Sequence, residues 1–175
     1  PICTERSWNT LFQPPPLNVP TTPGSTSMAG TCKVFSPGQY DSITLVNDNY
    51  FEAGEYYLND AVLDVFNANV TAGFADGRYG DSQRLSMHPD CAVAQSNDAA
   101  SGELPGATFY LGDDARIDVR ANGRLEILRR SQGGETVSIH ALDADGRGYE
   151  ESDIELNGAG EGTRMRSNRP KPRHR

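Results

Sequence analysis

Asp64 and Asp118 are the two residues of this chain whose type and spacing best suit chemistry. Each stands between two aliphatic residues where apolar and polar residues alternate, so both carboxylates are expected on the outer face of a strand. Stacked carboxylates there could hold Ca²⁺ or form an acid–base pair acting on polysaccharide, but such a pair needs a groove and one raised pKa. The sequence indicates neither, and Arg116 and Arg120 lie beside Asp118. We therefore expect a solvated outer face that offers surface contacts.

A second set of carboxylates resembles part of an EF-hand loop. Asp143, Asp145 and Gly148 stand where the first ligand, the third-position ligand and the mid-loop glycine of such a loop belong. Arg147 replaces the fifth-position oxygen ligand, and Ile154 replaces the final glutamate. An acidic turn is therefore the better interpretation. No cofactor is therefore predicted. The alternative is a weak Ca²⁺ site, whose candidate ligands are Asp143, Asp145, Glu151 and Asp153.

The chain has three cysteines, Cys3, Cys32 and Cys91, and none of them stands in a C-x-x-C arrangement. This spacing argues against a zinc site. We favour a disulfide between Cys3 and Cys32, which would hold an irregular N-terminal arm to the first strand. Cys91 is the alternative partner of Cys32 or a free thiol, and a third interpretation leaves all three as thiols. A disulfide in such a loop-rich chain suits an exported protein.

Adjacent aromatic residues offer another kind of contact. In a strand, Tyr56-Tyr57 and Phe109-Tyr110 would each place one ring in the core and the other outside. Tyr56, Tyr57 and Tyr110 are therefore candidate surface contacts, with carbohydrate stacking as the functional interpretation and edge packing as the simpler one. No Ser, His and Asp residues stand in the context of a nucleophile elbow. We accordingly predict no enzymatic activity.

These residues are positioned by a unit that occurs twice. Tyr56-Tyr57-Leu58 is followed by Leu63-Asp64-Val65, and Phe109-Tyr110-Leu111 is followed by Ile117-Asp118-Val119. Recurrence of a strand-turn-strand unit is typical of stacked β architectures. The sequence thus predicts a right-handed parallel β-solenoid of a few rungs, with the two copies one above the other. Asn122-Gly123 could instead form a type I′ hairpin turn, so an antiparallel β-sandwich is the alternative.

Composition divides the chain into three parts. Residues 1–31 are irregular and rich in proline, and we interpret them as an extended arm that caps the domain. Residues 32–156 form the predicted β-domain, interrupted at 74–105 by a polar, glycine-rich inserted loop that we expect to be partly disordered. Residues 157–175 are glycine-rich and then basic, which is typical of a disordered tail.

Four motifs along residues 32–142 resemble a known bacterial family. They run from Cys32 to Tyr40, from Tyr50 to Leu58, from Ala68 to Gly73 and from Gly106 to Leu111, and their patterns are C-x-V-F-x-P-G-x-Y, F-x-x-G-x-Y-x-L and G-x-T-F-Y-L with Gly/Ala-rich stretches between. They are similar to the β-rich extracellular region of TadG-like proteins, which are associated with Flp/Tad pilus assembly. The resemblance implies an envelope-anchored or secreted location and no catalytic residues.

Charge and hydropathy limit the classes of partner that the protein could bind. A formal net charge of −8 disfavours nucleic acid, because binding phosphate needs a basic surface. No apolar run approaches the ~20 residues that a membrane-spanning helix needs. We therefore expect an extracellular structural or adhesion module without enzymatic activity, linked to pilus assembly and contacting other protein subunits or cell-surface components. The alternative is a carbohydrate-active or carbohydrate-binding β-solenoid with a Ca²⁺-assisted acidic face.

Overall fold

The computed structural model describes residues 19–75, 85–112, 114–128, 138–141 and 154–158. Short alternating segments form most of its elements, because one side chain in two can enter the core. Within these ranges the chain has twelve strands and one helix: β1 (Thr26–Ala29), β2 (Cys32–Phe35), β3 (Gly38–Tyr40), β4 (Asp48–Phe51), β5 (Gly54–Asn59), β6 (Val62–Phe66), β7 (Asn69–Ala72), α1 (Pro89–Ala99), β8 (Ala107–Gly112), β9 (Arg116–Ala121), β10 (Arg124–Ile127), β11 (Ile139–Ala141) and β12 (Ile154–Gly158).

The strands form three sheets around the main core cluster. The first sheet has the order β1-β2-β4-β7-β10, the second β11-β8-β5-β3, and the third β12-β9-β6. Neighbouring strands of the described residues run parallel in every pair except β1 and β2, which are antiparallel. The result is a β-rich domain with mixed pairing.

The predicted pairing of the two copies is confirmed at residue level. In the second sheet Leu58 lies opposite Leu111, and in the third sheet Leu63 lies opposite Ile117. All four side chains are buried in the same core cluster. The apolar alternation that the copies share therefore sets their register, since a slip by one residue would turn each aliphatic side chain to the outer face.

The prediction of a right-handed parallel β-solenoid is nevertheless wrong for this domain. The first sheet is mixed, because the chain reverses at Gly30 (φ +60°) and returns as β2 antiparallel to β1. The inserted segment also contributes a helix, which packs on this sheet. The alternative of an antiparallel β-sandwich matches only the β1–β2 pair among the described strands.

Aromatic rings fill the centre of the core. Phe35 and Phe51 stack with ring centroids 4.2 Å apart, and Phe51 meets Tyr56 and Phe109 edge-on at 5.2 and 5.5 Å. All four rings are buried. Because β2, β4, β5 and β8 each contribute one of them, this group joins the first sheet to the second. Aromatic pairs of this kind stabilise by about 0.5–1.5 kcal/mol beyond the burial of their area.

Helix α1 lies in the segment that we expected to be a partly disordered loop. Pro89 begins it, which suits the first turn because proline lacks the N–H that would have no helical partner there. His88 precedes it, and its Nδ1 accepts a hydrogen bond from the Asp90 N–H at 3.3 Å. Cys91 and Ala94 pack with β2 and β4 in a second, smaller core cluster. No helix of the described residues is long and apolar enough to cross a membrane.

Gly73 marks the point where the chain leaves the first sheet. Its φ is +76°, and a Cβ atom there would lie 2.6 Å from the backbone of Gly106. We expect Gly73→Ala to lower the free energy of unfolding by about 2–3 kcal/mol, since it adds a backbone clash to a left-handed conformation. Gly102→Ala is the matched control, because Gly102 also has positive φ (+87°) but open space around it. Equal losses in urea unfolding would show that the close approach does not matter.

Candidate functional site

The predicted carboxylate pair exists, but arginines neutralise it. Asp64 and Asp118 lie opposite each other in the third sheet and point away from the core. Both oxygens of Asp64 accept hydrogen bonds from Arg120, and the Nε of Arg116 donates to Asp118 at 3.1 Å. Both carboxylates of this face are therefore engaged in ion pairs on the surface of the sheet.

Two of the three aromatic candidates, Tyr56 and Tyr110, are buried, whereas Tyr57 lies on the outer face. Tyr56 is fully buried, and its hydroxyl donates to the carbonyl oxygens of Phe35 and Glu52 at 3.0 and 2.6 Å, so it is not a surface contact. Tyr110 is also buried, and its ring stacks on His140 at 5.0 Å. Tyr57 is half-buried on the outer face. A row of exposed rings for carbohydrate is therefore not present on the described part of this sheet.

The disulfide joins Cys32 of β2 to Cys91 of α1, with Cα atoms 5.2 Å apart. The favoured pairing of Cys3 with Cys32 is therefore wrong, and the alternative partner of Cys32 is the one used. Cys3 itself lies outside the described residues. Both half-cystines are buried, so the bond is part of the contact between helix and sheet.

The structure does not describe the candidate Ca²⁺ ligands. Asp143, Asp145, Glu151 and Asp153 all lie outside the described residues. Among the residues that are described, no group of three or more His, Cys, Asp or Glu side chains could hold a metal ion. The Ca²⁺ site thus stays a prediction.

A groove that the sequence did not indicate lies where β4 turns into β5, beside the last turn of α1. It has a volume of about 640 Å³, and the start of β3 and the bend after α1 complete its walls. Small and proline residues line much of it, together with several carboxylates. The described lining consists of Pro20, Thr22, Pro37, Gly38, Glu52, Ala53, Gly54, Glu55, Asn97, Asp98, Ser101 and Glu103.

Asp98 is the buried carboxylate of this groove. It lies on α1, is 8% exposed, and its Oδ2 accepts hydrogen bonds from the Tyr50 hydroxyl at 2.5 Å and the Ala53 N–H at 2.7 Å. Burial, and then the hydrogen bond to Asp98, raise the pKa of Tyr50, so this phenol stays protonated and remains the donor. Asp98 therefore fastens the end of α1 to the β4–β5 bend.

Glu52 is the second carboxylate, and its environment differs. Partial burial, followed by the negative charge of Asp98, raises the pKa of Glu52 above its ordinary value of 4.5. The groove and the raised pKa that we required of an acid–base pair thus occur at Glu52. No sequence signal revealed it, because Asp98 lies in a segment interpreted as a loop.

A third polar group ties the start of α1 to the β1–β2 turn. The Thr31 N–H and hydroxyl donate to Asp90 Oδ2 at 2.7 and 2.9 Å, and the hydroxyl also lies 3.3 Å from His88 Nδ1. The Thr31 N–H is the main reason that the pKa of Asp90 is lowered. These bonds and the disulfide attach one end of the helix, while Asp98 attaches the other.

A double-mutant cycle measures the Asp98 attachment. We expect Asp98→Ala to lower the free energy of unfolding by about 3 kcal/mol, because it leaves the Tyr50 hydroxyl and the Ala53 N–H without their charged acceptor. Tyr50→Phe should cost about 1.5 kcal/mol, and the two losses should not add, since both remove the same bond. Strict additivity in urea unfolding would show that the two side chains are not coupled.

The pH dependence of stability reports on Glu52. Because its pKa is raised in the folded state, the folded protein holds this proton more tightly, and the stability from it declines as pH rises through 4.5 and the raised value. Glu52→Gln removes this decline. We expect the variant to melt a few degrees above the wild type at pH ~7 and to show no gain at pH ~4. An identical difference at both pH values would contradict the assignment.

Comparison with known proteins adds no relative from which this site could be interpreted. No protein-family model, no curated protein and no solved structure matches the chain.

Proposed function

We propose that this domain is a non-enzymatic structural or adhesion module on the extracellular face of the cell envelope, or in a secreted protein. The observation that carries the proposal is the buried disulfide between Cys32 and Cys91. Structural disulfides persist in oxidising compartments and are rare where thiols are kept reduced. Here the bond holds the only helix of the described residues against the first sheet, which supports a role in keeping an exported fold intact.

The chemistry of the charged side chains supports the non-enzymatic part of the proposal. Asp64 and Asp118 each have an arginine, Asp90 binds Thr31, and Asp98 binds Tyr50 and a backbone amide. These carboxylates therefore serve contacts within the fold. Other protein subunits or cell-surface components are the partners that we propose, and the resemblance to TadG-like proteins supports a pilus-assembly system as their context.

Labelling of intact cells tests this proposal directly. Antibodies against the purified domain should decorate unpermeabilised cells of the organism that encodes it, or detect the protein in the medium. Alkylation before and after reduction, read by mass spectrometry, should show Cys32 and Cys91 bonded in the native protein. Labelling only after permeabilisation, with both thiols free, would contradict the proposed location.

A second candidate function is carbohydrate binding or hydrolysis in the groove beside α1. The observation that favours it is the pair of Glu52, whose pKa is raised, and the buried Asp98. Electrophoresis in gels that contain polysaccharide, together with release of reducing sugar, tests it. Retardation or hydrolysis that is lost in Glu52→Gln but kept in the exposed control Asp114→Asn would support this candidate. Absence of both effects with every polysaccharide class would contradict it.

A further inference from the structure

The groove beside α1 has an unbalanced charge. Its described lining includes Glu52, Glu55, Asp98 and Glu103 and contains no Lys, Arg or His. Asp98 is held by neutral donors alone, and its charge contributes to the raised pKa of Glu52. The outer face of the third sheet differs, because its carboxylates have arginine partners. A ligand with positive charge would therefore be attracted to carboxylates that have no cationic neighbour in the described lining.

The rest of the lining suits an extended chain. Pro20, Pro37, Gly38, Ala53 and Gly54 give walls of small or rigid residues between the carboxylates. Such a surface presents apolar contact to a narrow ligand while the acidic side chains interact with its cations. Extended proline-containing segments lose little conformational entropy on docking, because their backbone is already restricted.

The chain itself contains a segment with these properties. Residues 159–175 carry six of the sixteen Lys and Arg residues and one of the 24 Asp and Glu residues, a net charge of +5. The other residues keep ten cations and 23 carboxylates, a net charge of −13. The segment includes the run Arg169-Pro170-Lys171-Pro172-Arg173, in which cations alternate with prolines. It lies outside the described residues, so the inference uses its sequence alone.

The segment is long enough to reach the groove. It follows β12, which ends at Gly158 in the third sheet. Seventeen residues, counted from 159 to 175, span ~50 Å at the ~3.1 Å per residue of an extended proline-rich chain. A chain of this size folds to a radius of gyration of ~16 Å. The segment is therefore long enough to contact the groove of its own domain.

We propose that the basic segment of residues 159–175 binds in the acidic groove of its own chain. Its arginines and lysine would supply the positive charge that the described lining of the groove lacks, and its prolines would pack along the apolar walls. Covalent linkage gives the segment an effective concentration in the millimolar range, so modest affinity is enough for occupancy.

Fluorescence anisotropy of a labelled peptide with the sequence of residues 159–175 tests the proposal. The receptor is the full chain with its six basic residues in that segment replaced by Gln, which leaves the groove open. We expect saturable binding that weakens severalfold as the salt concentration rises from ~0.02 to ~0.2 M. Glu52→Gln combined with Glu103→Gln should weaken binding about fivefold or more, by removing two charge pairs. No rise in anisotropy at about 1 mM receptor would overturn the proposal.

Two controls test whether the peptide binds in the groove and whether the chain's own basic segment occupies it. Asp41→Asn combined with Asp114→Asn makes the same change in net charge at exposed positions outside the groove, and should change the affinity less than about twofold. An equal loss in both pairs of variants would overturn binding in the groove. The wild-type chain, whose own segment competes, should bind the peptide about fivefold or more weakly than the substituted receptor. Equal affinity of wild type and receptor would overturn occupancy by the same chain.

Discussion

Phe51→Ala should lower the free energy of unfolding by about 4 kcal/mol, the largest loss that we expect from one substitution. Phe51 is fully buried and its ring contacts those of Phe35, Tyr56 and Phe109. Truncation would leave a cavity at the junction of the first and second sheets, and backbone pairing on both sides prevents the walls from collapsing into it. The total free energy of unfolding of a single domain is about 5–15 kcal/mol, so the variant should be only marginally stable.

Phe66→Ala is the matched control, because the same atoms are removed from an exposed ring. Phe66 is 54% exposed, and its ring lies beneath the Arg120 guanidinium at 5.6 Å. The expected loss is about 0.5–1 kcal/mol, which corresponds to one exposed cation–π contact. Urea unfolding followed by circular dichroism gives both values. Similar losses for the two variants would contradict the central position of Phe51.

Removing the disulfide has the second-largest expected effect. The bond links residues 59 positions apart, and the chain-entropy model assigns about 4 kcal/mol to a loop of that length. Cys32→Ala combined with Cys91→Ala should therefore lower the free energy of unfolding by about 2–4 kcal/mol. The double substitution avoids a single unpaired thiol. Helix α1 packs mainly on β1, β2 and β4 of the first sheet, so we expect the circular dichroism of the second and third sheets to persist.

Cys3→Ala is the control that separates the two pairings. If Cys32 is bonded to Cys91, loss of Cys3 leaves the bond intact, and the melting temperature should not change. If Cys32 were bonded to Cys3, the same substitution would lower it by several degrees. Thermal melting of both variants, with and without reductant, therefore tests the pairing as well as its stability. A wild-type protein insensitive to reductant would contradict a stabilising disulfide.

The strand positions were accessible from the sequence, because alternation at Leu63-Asp64-Val65 and Ile117-Asp118-Val119 has a direct physical cause. A side chain that must be buried every second residue fixes both the strand and its register. The same pattern could not choose between Tyr56 and Tyr57 as the inner ring, since both are aromatic. Register against Phe109 makes that choice in the fold.

Helix α1 and the groove could not be predicted from the sequence, because no local pattern marks them. The residues from Pro89 to Ala99 are mostly small or polar and show little amphipathic pattern. Contacts distant in sequence hold the helix in place, namely the disulfide to Cys32 and the hydrogen bonds that Asp98 accepts from Tyr50 and Ala53. Such contacts become visible only when the chain is folded. The mixed first sheet was missed for a similar reason, because β1 is short and exposed.

The antiparallel strand β1 determines at which end of the sheets further parallel strands could be inserted. A duplicated copy of residues 54–72 inserted between β7 and β8 would meet strand neighbours of the same orientation in all three sheets. Inserted ahead of β2, the same copy would have to displace β1 from its partner. An engineer who wishes to lengthen this protein should therefore add units on the carboxyl-terminal side of β7 and leave the hairpin of β1 and β2 untouched.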